Sequence, residues 1–260
     1  MTRLLLTGIA VVLATSNPAL GFAGAAAAQP AATVIRVMPL GDSITVGQGS
    51  LSGNGYRADL RDLVADQTAY AVQFVGDQTS GTMTNPQHEG HGYYMVDDVR
   101  HGVDSWLAAA RPDVVLLNIG TNDLDWRPDP DPDHAADRLE KLVDQIFTDA
   151  PNVTVVMEGL ITNTGGLQDR VRQYNDRARE LALVEQLAGK HFLFAGGATF
   201  EPRDFADRLH PTDSGYQKMA DAFFPPLQQA LTGGWVITKP SSSNGETAAR
   251  RAPQSPSAAS

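Results

Sequence analysis

The hydrophobic pattern of the chain switches between two periods. Five short runs are apolar almost without a break, at residues 34–39, 71–75, 114–119, 153–160 and 191–195. The run at 114–119 reads Val-Val-Leu-Leu-Asn-Ile, as expected of a parallel strand buried on both faces. Longer stretches carry apolar residues at helical spacing, at 56–67, 96–110, 134–149, 167–187 and 213–231. Pro151 should stop the third of these helices. Ser214-Gly-Tyr-Gln217 fits a capping box at the start of the last, and Pro225-Pro226 should end or kink it. Strands alternating with helices of this length predict a five-stranded parallel sheet with helices on both faces. The expected fold class is therefore α/β, a three-layer α/β/α domain over residues 32–235. Ligand sites in such sheets form beyond the carboxyl ends of strands. That rule selects the loops after Met38, after Ile119 and after Ala195.

The two ends differ from this middle. Arg3, the apolar stretch 4–14 and the small residues 21–28 follow the order of a secretory signal, with cleavage near Ala28. The apolar stretch is short for a membrane span of about 20 residues. Residues 1–28 are thus expected to be a signal peptide, the protein secreted, and stable membrane insertion absent after cleavage. Residues 238–260 are rich in Ser, Pro, Ala and charge. They carry too little apolar surface to offset the entropy of ordering, so a disordered tail is expected. The 260 residues include no cysteine, which removes disulfides, zinc thiolates and a cysteine nucleophile. A formal charge of -10 repels nucleic acid and anionic membrane surfaces.

The loop after the first strand reads GDSITVGQGS at residues 41–50. It lacks the lysine of a phosphate-binding P-loop and the last glycine of a dinucleotide fingerprint. Gly41-Asp-Ser43-Ile-Thr45 also departs from the G-x-S-x-G nucleophile elbow. Ser43 alone would read as a turn or cap residue. Two other clusters change its weight. Gly120-Thr-Asn122-Asp123 follows the third strand, and Asp207-Arg-Leu-His210 precedes the last helix. A serine nucleophile needs a base, and the base needs an orienting group. The spacing of Asp207 and His210 lets one tight loop set the carboxylate against one ring nitrogen and leave the other for Ser43. Asn122 carries an amide donor suited to an oxyanion.

These three blocks, in this order, resemble the SGNH or GDSL hydrolases, which use a flavodoxin-like α/β/α fold. The resemblance spans about residues 34 to 230. It implies Ser43 as nucleophile, His210 as base and Asp207 as its orienter. It also implies an oxyanion hole from the Ser43 backbone N–H, the Asn122 amide and a backbone N–H of a glycine block. That block resembles His88-Glu-Gly-His-Gly-Tyr-Tyr94. In strict register its glycine falls on Tyr93, with Gly92 one residue early. Gly92 is the favoured donor because glycine permits a close turn and φ > 0. Met38-Pro-Leu-Gly-Asp-Ser43 and His88-Glu-Gly-His91 are similar to the carbohydrate esterases that include acetyl-xylan esterases. The resemblance implies hydrolysis of short acyl esters, foremost acetyl, on an acylated carbohydrate or other small ester, through an acyl-enzyme and without a cofactor. A lipid or aryl esterase on the same scaffold, and a non-catalytic carbohydrate-binding protein, are the rivals.

Other residues have plainer readings. His88 and His91 are three apart in a glycine-containing loop, not four apart on a helix, so no metal site is expected there. Asp42 and Asp123 should cap backbone N–H groups at their turns. Tyr93, Tyr94 and Trp126 are equally suited to a sugar-binding cleft or to packing. Gly47 and Gly49 read as a flexible rim beside Ser43.

Overall fold

The strands with the most continuous apolar runs are central because nearly all of their side chains can be buried. β5 (Val114–Asn118) and β6 (Thr154–Glu158) are buried at every residue, and β1 (Thr33–Gly41) is buried over its second half. The computed structural model describes residues 32–125, 131–161 and 166–236. The expected signal peptide, the expected tail and Trp126 lie outside the described residues.

β1 pairs in parallel with β5, β5 with β6, and β6 with β7 (Phe192–Ala195). On the other flank of β1, β2 (Tyr70–Phe74) pairs with residues 33–37. Two strands beyond the expected five complete the sheet. β3 (Gln78–Thr79) and β4 (Gln87–Gly90) form an antiparallel pair. β4 then takes over the flank of β1 where β2 leaves it, pairing Leu40 with Glu89 and Gly41 with Gly90. The sheet therefore has seven strands and one antiparallel edge. Gln-His-Glu-Gly has neither apolar content nor alternation, so pattern alone reads it as loop. It lies beside Gly41 under residues 45 and 46, and a bare Gly90 gives that fit its room. A Cβ on Gly90 would come within 2.8 Å of Thr45 and Val46.

Alternate side chains sort into two cores. Met38, Leu40, Val115, Leu117, Val155 and Met157 face α3 (Val96–Ala110), α5 (Ala135–Asp149) and α6 (Gln168–Leu187). Ile35, Val37, Val114, Leu116 and Val156 face α2 (Arg57–Gln67) and α7 (Asp213–Thr232). This is the expected three-layer arrangement, and α5 stops at Asp149, before Pro151. Two one-turn helices, α1 (Ser43–Val46) and α4 (Thr121–Leu124), stand at the carboxyl ends of β1 and β5.

α7 departs from expectation twice. Its cap is Thr212, whose hydroxyl accepts from Gly215 N, while Ser214 donates to Asp204 at 2.9 Å. The Ser214–Gln217 box therefore does not form. The helix also runs through Pro225 and Pro226. Phe223, Phe224, Leu227, Ala230 and Leu231 bury both halves against the sheet. The carbonyls that the two prolines leave without donors belong to Asp221, which is exposed, and Ala222, which is half-buried.

Candidate active site

Gly41 ends β1, and the next residue turns the chain. Asp42 is extended and caps α1, its Oδ1 accepting from Ile44 N at 2.9 Å. Ser43 thereby becomes the first residue of a one-turn helix above the sheet. Gly47 closes that turn at φ +97°, where a Cβ would lie 2.6 Å from Gly53 O. A Cβ on Gly49 would lie 2.4 Å from Pro211 O and 3.0 Å from the His210 Cβ. The two glycines are thus sites of close backbone approach, not a flexible rim. Gly49 is what lets the histidine loop come in against the serine.

Ser43 Oγ lies 2.9 Å from His210 Nε2, and His210 Nδ1 lies 2.7 Å from Asp207 Oδ2. The other Asp207 oxygen accepts from the backbone N–H groups of Leu209 and His210 at 2.7 and 2.8 Å. Burial pushes the Asp207 carboxyl up, but the His210 ring and these two N–H groups outweigh it and hold the carboxyl below its usual range. With Asp207 ionised, Nδ1 carries the proton and Nε2 accepts from the serine.

Asn122 is buried on α4, and its amide donates to Tyr94 O at 2.9 Å. Gly120, at φ +124°, precedes that helix, and a Cβ there would strike the Tyr174 ring at 2.6 Å. Tyr174 in turn donates to Ile119 O at 2.9 Å. In the glycine block, His91 N donates to Gly41 O at 2.9 Å, and Tyr94 N donates to His91 O across a tight turn. Positive φ in that turn falls on Tyr93, at +71°, not on Gly92. A Cβ on Gly92 would meet nothing within 4 Å. The ground for favouring Gly92, a backbone only glycine tolerates, therefore does not hold at that residue.

His88, Glu89 and His91 hold this block in place. His88 joins Ser80 Oγ at 2.9 Å through Nε2 and accepts from Gly90 N at 3.0 Å through Nδ1. Burial first, then the Arg57 and His91 charges, push the His88 ring down to about 3. Glu89 accepts from Asp77 N and contacts His91 Nε2, both at 2.8 Å. The His91 ring lies stacked between Tyr94 and Trp106. Tyr93 is 70% exposed, while Tyr94 packs against the core.

Asp42 and Asp123 take the bland roles expected of them, with one difference. Asp42 caps locally, whereas Asp123 accepts from Val96 N, 27 residues away at the start of α3, and from Arg138. Burial, with Asp123 nearby, pushes the Asp42 carboxyl up to about 7.

Two contributors escape sequence reasoning. Arg57 is fully buried, and its guanidinium donates to Thr45 O, Gly53 O and Ser80 O. It places a cation at the C-terminal end of the serine's helix, where carbonyls collect. Arg208 grips Asp125 with two hydrogen bonds of 2.9 and 2.7 Å, tying the histidine loop to the loop of Asn122. An arginine in a glycine-rich stretch and one inside D-x-x-H were the only signals, and neither has a spacing rule.

The sequence model of the GDSL-like Lipase/Acylhydrolase family matches residues 40–218, a span that includes Ser43, Asn122, Asp207 and His210. The chain belongs to this family. Its domain is of the SGNH acylhydrolase type. A family 3 carbohydrate esterase of Clostridium thermocellum superposes with a TM-score of 0.69 at 31% identity, over 77% of this chain and 98% of that one. A carbohydrate esterase family 3 structure from Talaromyces cellulolyticus shares the fold, with a TM-score of 0.64 at 23% identity, over 76% and 99% of the two chains. A curated multidomain esterase of Ruminococcus flavefaciens is 25% identical over 230 residues, 77% of this chain. The chain spans only 29% of that relative's length. No helix among the described residues is long and apolar enough to cross a membrane.

Proposed function

We propose that the protein is a secreted serine esterase that removes short acyl groups, foremost acetyl, from carbohydrates. The hydrogen-bonded chain from Ser43 through His210 to Asp207, at 2.9 and 2.7 Å, carries this reading. The likeness to carbohydrate esterases supports the substrate class. Ser43 Oγ attacks the ester carbonyl while His210 Nε2 takes its proton. Asp207 keeps the ring in the required tautomer and stabilises the imidazolium. The tetrahedral oxyanion is met by the Ser43 N–H, the Asn122 amide and an N–H of the glycine block. Gly92 was the sequence's choice for that last donor. The left-handed residue at Tyr93 and the strict register favour Tyr93 instead. The alcohol leaves with the proton from His210, and water activated by the same ring releases the acid from the acyl-serine. No step requires a cofactor.

Purified protein should release p-nitrophenol from the acetate ester faster than from the octanoate or palmitate esters, and acetate from acetylated glycans. A preference for the long chains would favour the lipid or aryl esterase. Ser43→Ala should abolish turnover and labelling by a serine-directed phosphonate. Wild-type protein with neither turnover nor labelling would instead favour a carbohydrate-binding protein.

A further inference from the structure

Beneath the nucleophile lies a set of polar groups that the mechanism above does not use. Among the described residues, nine buried side-chain atoms make no hydrogen bond of ordinary geometry to the protein. Seven of them belong to Asp42, Thr45, Tyr56, Asn118 and Glu158. Native interiors rarely leave such atoms unsatisfied, so their grouping needs a cause.

Sheet register brings them together. Gly41 pairs with Asn118, Leu117 with Met157, and Glu158 with Ala195. Leu117 and Met157 face the α3 side, so by strand alternation Asn118 and Glu158 point to the opposite face, toward α2 and α7. Gly41 shares that face with them. Thr45 Oγ1 stands over it, 2.5 Å from where a Gly41 Cβ would be. Tyr56 completes the set from the N-terminus of α2. Burial pushes its phenol up; a hydrogen-bonding contact with Thr45 and the Arg57 charge act against that, and the nearby Glu158 and Asp42 carboxyls add to it. Among the described residues, no cation acts on Glu158. Burial raises its carboxyl well above the usual range, opposed only by the Ala198 N–H.

We propose that Glu158 is a positioning residue for the ester-hydrolysing site. With Asn118, Thr45, Tyr56 and Asp42 it encloses water in a buried network that braces the Asp42–Ser43 turn from below. The inference rests on the proposed esterase reading for its kinetic consequence. A neutral carboxyl at Glu158 supplies both a donor and an acceptor, as such a network requires. Water bridging two to four polar groups is the usual resident of a polar interior of this kind. The free Asp42 oxygen joins this network while the other caps Ile44, so the network reaches the nucleophile through one side chain.

The test uses the full chain with Glu158→Leu, Glu158→Gln and Tyr56→Phe. Kinetics on p-nitrophenyl acetate are paired with amide exchange at Ile44, whose N–H reports the Asp42 cap. Glu158→Leu should lower kcat about 10- to 100-fold with KM within about twofold, and speed Ile44 exchange. Glu158→Gln, a neutral donor and acceptor of the same shape, should restore kcat to within about threefold. A merely structural role would lower stability without this split or this rescue. Wild-type kcat and exchange in the leucine variant, or a glutamine variant as impaired as leucine, would overturn the proposal. Should the leucine variant fail to fold, Tyr56→Phe decides: a smaller fall in kcat with faster Ile44 exchange is expected, and no change in either refutes the network. If the wild type hydrolyses no ester, the esterase reading fails while Ile44 exchange still judges the network.

Discussion

Two loops at the carboxyl end of the sheet converge on Ser43, and they are held in different ways. Apart from the Arg208 tie to Asp125, the histidine loop orients its ring from within. Asp207 binds the N–H groups of Leu209 and His210 as well as the His210 ring, all within four residues. Its side chain stays 53% exposed. The glycine block has local bonds too, from Gly90 N to His88 and from His91 to Glu89, but it also leans on distant partners. Ser80, Asp77, Gly41 and Asn122 hold it from elsewhere in the chain. Its His88 and Glu89 are buried. A loop that orients itself can tolerate water, whereas a loop oriented by distant partners depends on their packing. Damage to the first should therefore appear in catalysis, and damage to the second in stability as well.

The largest expected effect sharpens the first half of that contrast. His210→Ala should lower kcat by about 10⁴-fold or more, with little change in melting temperature. Kinetics and calorimetry on one preparation check both. A large loss of stability would show that the histidine loop also braces the fold. Asn122→Ala comes next, at about 100- to 1,000-fold in kcat. Because the Asn122 amide also donates to Tyr94 O, it straddles the two regions, and a stability loss of about 1 kcal/mol should accompany the kinetic one.

Acid titration separates the glycine block from the rest. The His88 ring titrates at about 3 in the fold against an ordinary value of 6.5. The unfolded chain therefore binds its proton first, and this contribution to stability is present above about 6.5 and lost as pH falls toward 3. Asp42 has the opposite sign. Its carboxyl stands at about 7 against an ordinary 3.8, so the fold gains from its proton as pH falls through the same region. The net curve thus hides both. His88→Gln should flatten the acid loss of stability relative to wild type between about pH 6.5 and 3, measured by urea unfolding at several pH values. Parallel curves for the two proteins would mean that His88 is not the buried neutral ring the geometry requires.

The same contrast explains what could be read from the residues. All five apolar runs became strands; burial on both faces leaves its compositional mark most clearly in β5 and β6, while β2 is largely half-buried. The Ser43, Asn122 and Asp207–His210 clusters stood out because each sits at a strand end or in a short spacing. β4 did not, since its place beside β1 depends on a bare Gly90 fitting under Thr45 and Val46, and glycine writes no pattern. Arg57 is equally silent. A buried cation whose terminal nitrogens reach three backbone carbonyls depends on where Gly53 and Ser80 happen to fold, not on any residue type beside it. The capping box at Ser214 was legible but misleading. Thr212, two residues earlier, offers the same hydroxyl chemistry, and Asp204 captures Ser214.

The smallest expected effect falls inside the glycine block, where the order of glycine and tyrosine matters. Tyr93 holds φ +71°, a conformation that costs a residue with a Cβ about 1–2 kcal/mol. Tyr93→Gly should therefore leave activity on p-nitrophenyl acetate within about threefold, since the backbone N–H remains, and offset part of that strain. Activity on a glycan would fall further only if the exposed ring contacts sugar. Gly92→Ala should be close to silent in both stability and kcat, because the added methyl meets open space and the backbone there is not left-handed. If Gly92→Ala instead cost about 100-fold in kcat, in the range of a lost oxyanion donor, the hole would be built on Gly92. The turn would then have to rearrange when substrate binds, moving the left-handed residue one position back along the chain.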